Sequence, residues 1–213
     1  MDPHAVDAPK IWVPLENNPS VMTPLAHNLG LSPSLHFIDV YSLTEPSLLR
    51  TIPRPVHALL FLYPGTVISA RDLFMEEEDR EEYTASGPDE PVLWFRQTIG
   101  HACGLIGLLH CVTNGEASKY ILPGSELENL VKAATPLNPT ERAKLLYDSE
   151  VLEKAHKEAA EMGYSRTPGI EEPVLYGFTA FVKGRDGRLY ELEGQRKGPV
   201  ERGVLEEGED VLS

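Results

Sequence analysis

Cysteine is scarce in this chain, which has only Cys103 and Cys111 among its 213 residues. The patterns below place both on one helix, where a spacing of eight residues would separate their Cα atoms by about 12 Å, too far for a disulfide. We therefore expect two free thiols, as is usual in the reducing cytoplasm or nucleus. No cluster of cysteine and histidine has the spacing of zinc ligands, so we expect neither a metal site nor a cofactor.

Long apolar runs and excess positive charge are missing as well. No segment approaches the roughly 20 apolar residues of a membrane span, and the N-terminus has neither the basic start nor the apolar core of a signal peptide. Lys and Arg total 19 against 33 Asp and Glu, a net charge of -14. Without a basic stripe to meet phosphates, a nucleic-acid partner is not expected. The acidic runs at 76–82 and 201–210 are interpreted as solvated surface, or alternatively as a surface for a basic partner.

The patterns that are present mix helices with strands and predict an α+β protein, with residues 1–10 as a disordered leader and 11–213 as a single domain. Helix starts are indicated at Asn18, Ser125 and Asn138, and the last of these opens a long helix towards Met162. A buried helix is predicted over 104–112. Strands are predicted at 35–40, 57–63, 175–183 and 188–193, with a hairpin between the last two, a surface loop at 71–90 and a flexible connection at 163–173.

The segment from Gln97 to Gly104, QTIGHACG, carries the most specific chemistry. Cys103 lies between small residues at the expected start of the buried helix. The partial positive charge and free N–H groups of a helix N-terminus favour a thiolate and can hold an oxyanion on an attacked carbonyl. The amide of Gln97 could add a further donor. The alternative is a plain buried cysteine, which behaves as a small apolar residue.

Several blocks of the sequence resemble, in order and spacing, those of the ubiquitin carboxyl-terminal hydrolases, a family of papain-like cysteine peptidases. The nucleophile segment of that family is similar to QTIGHACGLIGLLH. The other blocks are WVPLE from Trp12, FIDVY from Phe37, RPV from Arg54, LYELEG from Leu189 and GPV from Gly198, so the likeness covers roughly residues 12–203. It implies a central antiparallel sheet flanked by helices, an active-site crossover loop at about 148–173, and a monomer that binds ubiquitin or a ubiquitin-like protein.

The resemblance also implies roles for individual residues. Cys103 is in the position of the nucleophile and Gln97 in that of the oxyanion donor. The catalytic histidine of the family precedes a phenylalanine on the first strand of the last hairpin, where this chain has Gly177. The orienting aspartate corresponds to Glu193. Members of the family continue with a helix and a strand of the sheet beyond the position of Ser213, so we expect an open sheet edge.

Histidine is also absent after His156, so none on that hairpin could replace the missing base. His101 is the only histidine near Cys103 and is interpreted either as a substitute base or as a polar loop residue, whereas His110 is expected in the core. Three functional hypotheses follow. The chain is a thiol hydrolase that cleaves small adducts from the ubiquitin C-terminus with impaired turnover, a non-catalytic ubiquitin-binding pseudoenzyme, or a product without a stable fold.

Overall fold

A computed structural model describes residues 9–64, 76–165 and 176–213. The helices are α1 (Pro19–Leu29), α2 (Pro46–Leu49), α3 (Cys103–Thr113), α4 (Glu126–Ala134), α5 (Pro139–Tyr147) and α6 (Glu150–Ala160), with a 3-10 helix at Gly115–Tyr120. The strands are β1 (Ala58–Pro64), β2 (Tyr176–Lys183), β3 (Arg188–Leu192) and β4 (Val200–Val204). They form an antiparallel sheet in the order β1-β2-β3-β4 with helices packed against it. The predicted α+β class and its antiparallel sheet are confirmed.

Helix α3 is the centre of the core. Every residue of α3 after Cys103 is buried, because the segment is apolar on all faces and packs on every side. A Cβ placed on Gly107 would lie 2.7 Å from Leu60 Cδ1 and 3.5 Å from Phe178 Cβ, so the helix backbone closely approaches β1 and β2. The predicted buried helix is confirmed, and it joins the sheet to the helices around it.

The helices begin at the positions that their capping residues predict. The Asn18 side chain accepts a hydrogen bond from the N–H of Ser20 at 2.9 Å, and Asn138 forms a complete capping box with Glu141. Ser125 accepts from the N–H of its N3 residue at 3.3 Å. Such side chains satisfy N–H groups that have no partner inside the helix.

Two predicted elements are wrong. The segment 35–40 is not a strand, because its polar backbone groups bond to helix α1 instead: the Leu35 carbonyl contacts His27 Nε2 at 2.7 Å and the Phe37 N–H donates to Thr23 Oγ1 at 2.9 Å. The expected long helix from Asn138 is two helices, α5 and α6. The chain breaks where Ser149 caps the second one by accepting from the N–H of its third residue at 3.2 Å.

Helix α6 also corrects the predicted crossover loop, whose residues 150–160 are helical, while its residues 166–173 lie outside the described residues. Strand β4 was not predicted, since its sequence VERGV shows no apolar alternation and its residues after Val200 are exposed. Residues 1–8 of the predicted leader also lie outside the described residues. Lys10 is held by the Tyr147 carbonyl at 2.9 Å and by Glu153 at 2.5 Å.

Strand β1 lies at the edge of the sheet, with β2 as its strand partner in the described part of the chain. A cavity of about 610 Å³ runs beside it, lined mainly by apolar side chains that include Met22, Leu60, Leu62 and Val112. Among the described residues, β1 therefore forms one edge of the sheet. None of the helices among the described residues is long and apolar enough to cross a membrane.

A fully buried ion pair joins helix α5 to the loop before α3. The Arg142 guanidinium is inaccessible and bonds Glu90 through two nitrogens, while its Nε donates to the Ala134 carbonyl at 2.9 Å. The Tyr83 hydroxyl also donates to Glu90, at 2.8 Å. Because every charged atom of the pair has partners, burial of both charges is tolerated.

Candidate active site

The loop before Cys103 is fixed by the N-terminal segment of the chain. The N–H of Trp12 donates to the Gly100 carbonyl at 2.9 Å and the N–H of Gly100 to the Lys10 carbonyl at the same distance. A Cβ on Gly104 would lie 2.9 Å from Leu15 Cβ. The absence of a side chain at position 104 therefore lets the N-terminal segment pack directly against the start of α3.

Cys103 begins α3 and is a partly buried free cysteine. Burial raises the pKa of this thiol, the N–H groups of Gly104 and Phe178 that bond it act in the opposite direction, and the nearby Glu193 carboxylate raises the pKa again. The prediction that the helix N-terminus would favour the thiolate is thus corrected, because desolvation of the sulfur outweighs the backbone N–H donors around it. Cys111 is free and buried as predicted, and burial raises its pKa as well.

Gly177, the position of the missing histidine, lies opposite Tyr63 in the pairing of β1 with β2. A Cβ built on Gly177 would lie 2.4 Å from Tyr63 Cζ and 2.5 Å from the phenol oxygen. Real Cβ atoms do not come that close to other atoms, so the tyrosine ring occupies the space of a side chain at position 177. Burial, followed by the charge of Glu193, raises the pKa of Tyr63 to about 12, so its hydroxyl is protonated at neutral pH.

Glu193, predicted at the position of the orienting aspartate, is only 4% exposed. Its Oε1 accepts from the N–H of Gln195 at 3.1 Å. Its Oε2 has no hydrogen-bond partner among the residues that the structure describes. Burial raises the pKa of this carboxyl to about 7, against the opposing effects of the Gln195 N–H and of the Arg196 charge. Glu193 therefore changes its charge near neutral pH.

An ion-pair network lies beside Glu193. Arg196 bonds Glu76 at 2.9 Å, Glu77 at 3.0 Å and Glu191 at 3.1 Å. Arg202 joins the same network through Glu76 at 2.6 Å, and these contacts, led by Arg202, lower the pKa of Glu76 to about 2. The acidic run that starts at Glu76 is thus partly neutralised by arginines of the last segment, which the sequence interpretation as solvated surface did not foresee.

The two remaining candidates flank the loop before Cys103. The Gln97 amide nitrogen donates to the Ile99 carbonyl at 3.1 Å, and its buried Oε1 has no partner in the described ranges. The backbone N–H of Gln97 donates to the Gly194 carbonyl at 2.8 Å, which joins this loop to the segment after β3. His101 has a positive φ of 60°, and no hydrogen bond links its ring to Cys103 in the described part of the chain.

Two further histidines, His110 and His156, are buried and bonded to backbone groups. His110 is fully buried, and its Nε2 accepts from the N–H of Phe95 at 3.0 Å, which confirms the expected core histidine. Burial lowers its pKa to about 3. His156 contacts the Val13 carbonyl at 2.6 Å and its ring lies 4.6 Å from that of Trp12 at a tilt of 47°, and burial lowers its pKa to about 4.

These buried groups predict how stability depends on pH. The pKa values of His110 and His156 are depressed. The stability that each neutral histidine contributes is therefore present above about pH 6.5 and is lost as the pH falls below that value. The pKa of Glu193 is raised. The stability that its neutral carboxyl contributes is therefore present below about pH 4.5 and is lost as the pH rises through 7. We therefore compare the unfolding free energy of Glu193→Gln with that of the unmodified protein. The difference should shift by about 2 to 3 kcal/mol in favour of the variant from pH 5 to pH 8.

Urea unfolding at both pH values measures this difference. A matched control is Glu201→Gln, which removes an exposed carboxylate from β4 and should behave like the parent at both pH values. An equal difference for Glu193→Gln at pH 5 and pH 8 would contradict a buried carboxyl that ionises near neutral pH.

The structure places Glu193 and the strand that carries Gly177 beside Cys103, joins Gln97 to the segment after Glu193 through its backbone, and adds Tyr63. No local pattern points to the tyrosine, which ends a predicted apolar strand more than a hundred positions from Gly177. The available signal was a glycine in a predicted strand, since glycine there often marks the close approach of another group. Identifying that group required the register of β1 against β2.

Comparison with known proteins identifies the family of the chain. The family model described as "Ubiquitin carboxyl-terminal hydrolase, family 1" matches residues 12–213. A ubiquitin carboxyl-terminal hydrolase of Aplysia californica is 35% identical over 193 residues, which cover 91% of this chain and 86% of the relative. Ubiquitin carboxyl-terminal hydrolase 3 of Arabidopsis thaliana is 37% identical over 196 residues, covering 92% of this chain and 80% of the relative.

A solved structure shares the fold. The catalytic domain of Trichinella spiralis UCH37, bound to ubiquitin vinyl methyl ester, superposes with a TM-score of 0.69 at 21% identity, covering 93% of this chain and 81% of that chain. With the family model matched along nearly the whole sequence and relatives well above 30% identity, the chain belongs to ubiquitin carboxyl-terminal hydrolase family 1, a family of cysteine peptidases.

Proposed function

We propose that this protein binds the C-terminal tail of ubiquitin or a ubiquitin-like protein and hydrolyses small adducts from it through Cys103, far more slowly than a Cys-His-Asp enzyme. The solved relative bound to ubiquitin vinyl methyl ester supports ubiquitin as the partner. The acidic surface of the chain suits a basic tail. Gln97 is the proposed oxyanion donor, and Glu193 is in the position of the orienting carboxylate.

The observation that carries this proposal is the residue pair Gly177 and Tyr63. No imidazole stands at position 177, and a phenol ring fills that space. A catalytic histidine takes the thiol proton and returns a proton to the leaving amine. Removing one member of a triad costs on the order of 10⁴- to 10⁶-fold in turnover, whereas ubiquitin binding depends on a surface that this change leaves in place.

Hydrolysis of a fluorogenic ubiquitin C-terminal amide and labelling by ubiquitin vinyl methyl ester test the role of Cys103. We expect slow turnover and a covalent adduct in the unmodified protein, and neither in Cys103→Ala, because the thiol is the nucleophile. Cys111→Ala is the matched control, since it removes the buried thiol of the same helix and should keep both signals. Turnover that survives in Cys103→Ala would overturn the assignment of the nucleophile.

A non-catalytic ubiquitin-binding pseudoenzyme is the second candidate, and the glycine at position 177 is the observation that favours it. The two candidates share the binding step. They differ in whether product forms at a rate above that of Cys103→Ala. Binding to immobilised ubiquitin no stronger than to an unrelated protein would contradict both.

The cellular location and assembly of the protein are part of the proposal. The two free thiols support a reducing compartment, the cytoplasm or the nucleus. Fractionation of cells that produce the tagged protein tests the location, and sedimentation of the purified protein tests whether it is a monomer.

A further inference from the structure

Tyr63 has no part in the roles described above, although it covers the position of the missing histidine. It is half-buried near the end of β1, directly across the ladder from Gly177. Its phenol oxygen lies 2.5 Å from the point where a side chain at position 177 would begin. The hydroxyl therefore stands where the first atoms of an acid–base residue at that position would be.

Glu193 lies close to Tyr63. Side chains alternate along a strand, so Gly177 and Phe181 share a face of β2. Phe181 pairs with Glu191 on β3, and Glu193 follows that strand directly after its last residue, Leu192. The charge of Glu193 contributes to the raised pKa of Tyr63. The buried Oε2 of Glu193 has no partner among the described residues. A polar cluster therefore forms from the phenol of Tyr63 and an incompletely bonded carboxyl.

The thiol reaches the same place from the helix. The N–H of Phe178, the residue after Gly177, bonds the Cys103 thiol. The sulfur of Cys103 therefore lies beside the backbone of Phe178, one residue along β2 from the position that the Tyr63 ring covers. In agreement, the charge of a Cys103 thiolate contributes to the raised pKa of Tyr63.

We propose that Tyr63 replaces the missing histidine as the proton carrier of the Cys103 reaction, acting through its hydroxyl from the space above Gly177. This inference rests on the proposed function and names the residue responsible for its slow turnover. A neutral hydroxyl both donates and accepts a hydrogen bond, so it can accept one proton while it releases another. It needs no change of charge to do so.

The proton transfers balance in both half-reactions. In acylation, the bond between Sγ and the carbonyl carbon forms and the carbon–nitrogen bond breaks. The thiol proton passes to the Tyr63 oxygen as the phenol proton passes to the leaving amine. In deacylation, water attacks the thioester carbon, its proton passes to the phenol oxygen and the phenol proton passes to the departing sulfur. Tyr63 ends each step as a neutral phenol.

Four proteins test this role by hydrolysis of the fluorogenic ubiquitin amide, with the rate of Cys103→Ala subtracted: the parent, Tyr63→Phe, Gly177→Ala and the double variant. We expect Tyr63→Phe to lower kcat by about 10²-fold with KM unchanged, since positioned proton transfer contributes that much or more. We expect Gly177→Ala to lower kcat too, because its Cβ displaces the ring. In the Tyr63→Phe background it should have little further effect, because the proton carrier is already absent.

Tyr176→Phe is the matched control, because it removes an exposed tyrosine hydroxyl one position from Gly177 and should leave kcat unchanged. Equal kcat for Tyr63→Phe and the parent would overturn the proposal, as would a parent rate no higher than that of Cys103→Ala. Labelling by ubiquitin vinyl methyl ester separates the two failures. An adduct on Cys103 without any effect of Tyr63→Phe refutes only the role of the tyrosine, whereas no adduct refutes the proposed function as well.

Discussion

Histidine at position 177 is expected to accelerate turnover only when Tyr63 is made smaller at the same time. Gly177→His alone should give no gain, because its Cβ would lie 2.4 Å from Tyr63 Cζ and the imidazole would compete with the ring for one space. Gly177→His combined with Tyr63→Ala should raise kcat by about 10²- to 10⁴-fold relative to Tyr63→Ala alone, the usual contribution of a positioned acid–base group. Steady-state hydrolysis of the fluorogenic ubiquitin amide measures both.

The pH profile of the double variant gives a second result. The Glu193 carboxylate orients an imidazole only when it is ionised, and the pKa of this carboxyl is about 7. We therefore expect kcat of the double variant to rise as pH increases through 7. Gly177→Gln with Tyr63→Ala is the matched control, since it adds similar bulk without an acid–base group and should show no acceleration. A gain in Gly177→His alone as large as in the double variant would show that Tyr63 does not block the position.

Arg142→Met is expected to lower the free energy of unfolding by about 3 to 5 kcal/mol, the cost of leaving one partner of a buried ion pair without the other. Glu90 is 7% exposed and would keep only the Tyr83 hydroxyl as a side-chain partner among the described residues. The arginine also satisfies the Ala134 carbonyl, which would lose that bond. Urea unfolding monitored by tryptophan fluorescence measures the change.

Lys144→Met on the same helix is the matched control. The Lys144 side chain is 76% exposed in its pair with Asp148, so its loss should cost at most about 1 kcal/mol. Adding Glu90→Leu to Arg142→Met should recover part of the stability, since the unpaired carboxylate is then removed. Similar losses for Lys144→Met and Arg142→Met would contradict the importance of the buried pair.

The prediction of secondary structure succeeded where local chemistry dominates. Asn18 and Asn138 cap helices because their side chains bond N–H groups two or three positions away, which a sequence shows directly. The 35–40 segment failed because its apolar residues are strand-like, while its backbone groups are satisfied by His27 and Thr23 of a helix. Partners that are distant in the chain decide such cases, and no local pattern shows them.

The candidate site shows the same difference between what local sequence predicts and what packing decides. The order and spacing of sequence blocks located Cys103, Gln97, Gly177 and Glu193, but the expected thiolate at Cys103 was wrong. A helix N-terminus can be inferred from sequence, whereas the desolvation that raises the pKa of this thiol comes from packing around it. The raised pKa of Glu193 has the same origin.

The sequence by itself determined the family resemblance, the α+β class, the position of the thiol and the absence of a histidine at position 177. Only the tertiary structure decided what fills that position. Strand register brought Tyr63 over Gly177, and register depends on the pairing of β1 with β2 across more than a hundred intervening residues. Such long-range pairing follows from the packing of α3 against both strands and not from any local preference of the residues themselves.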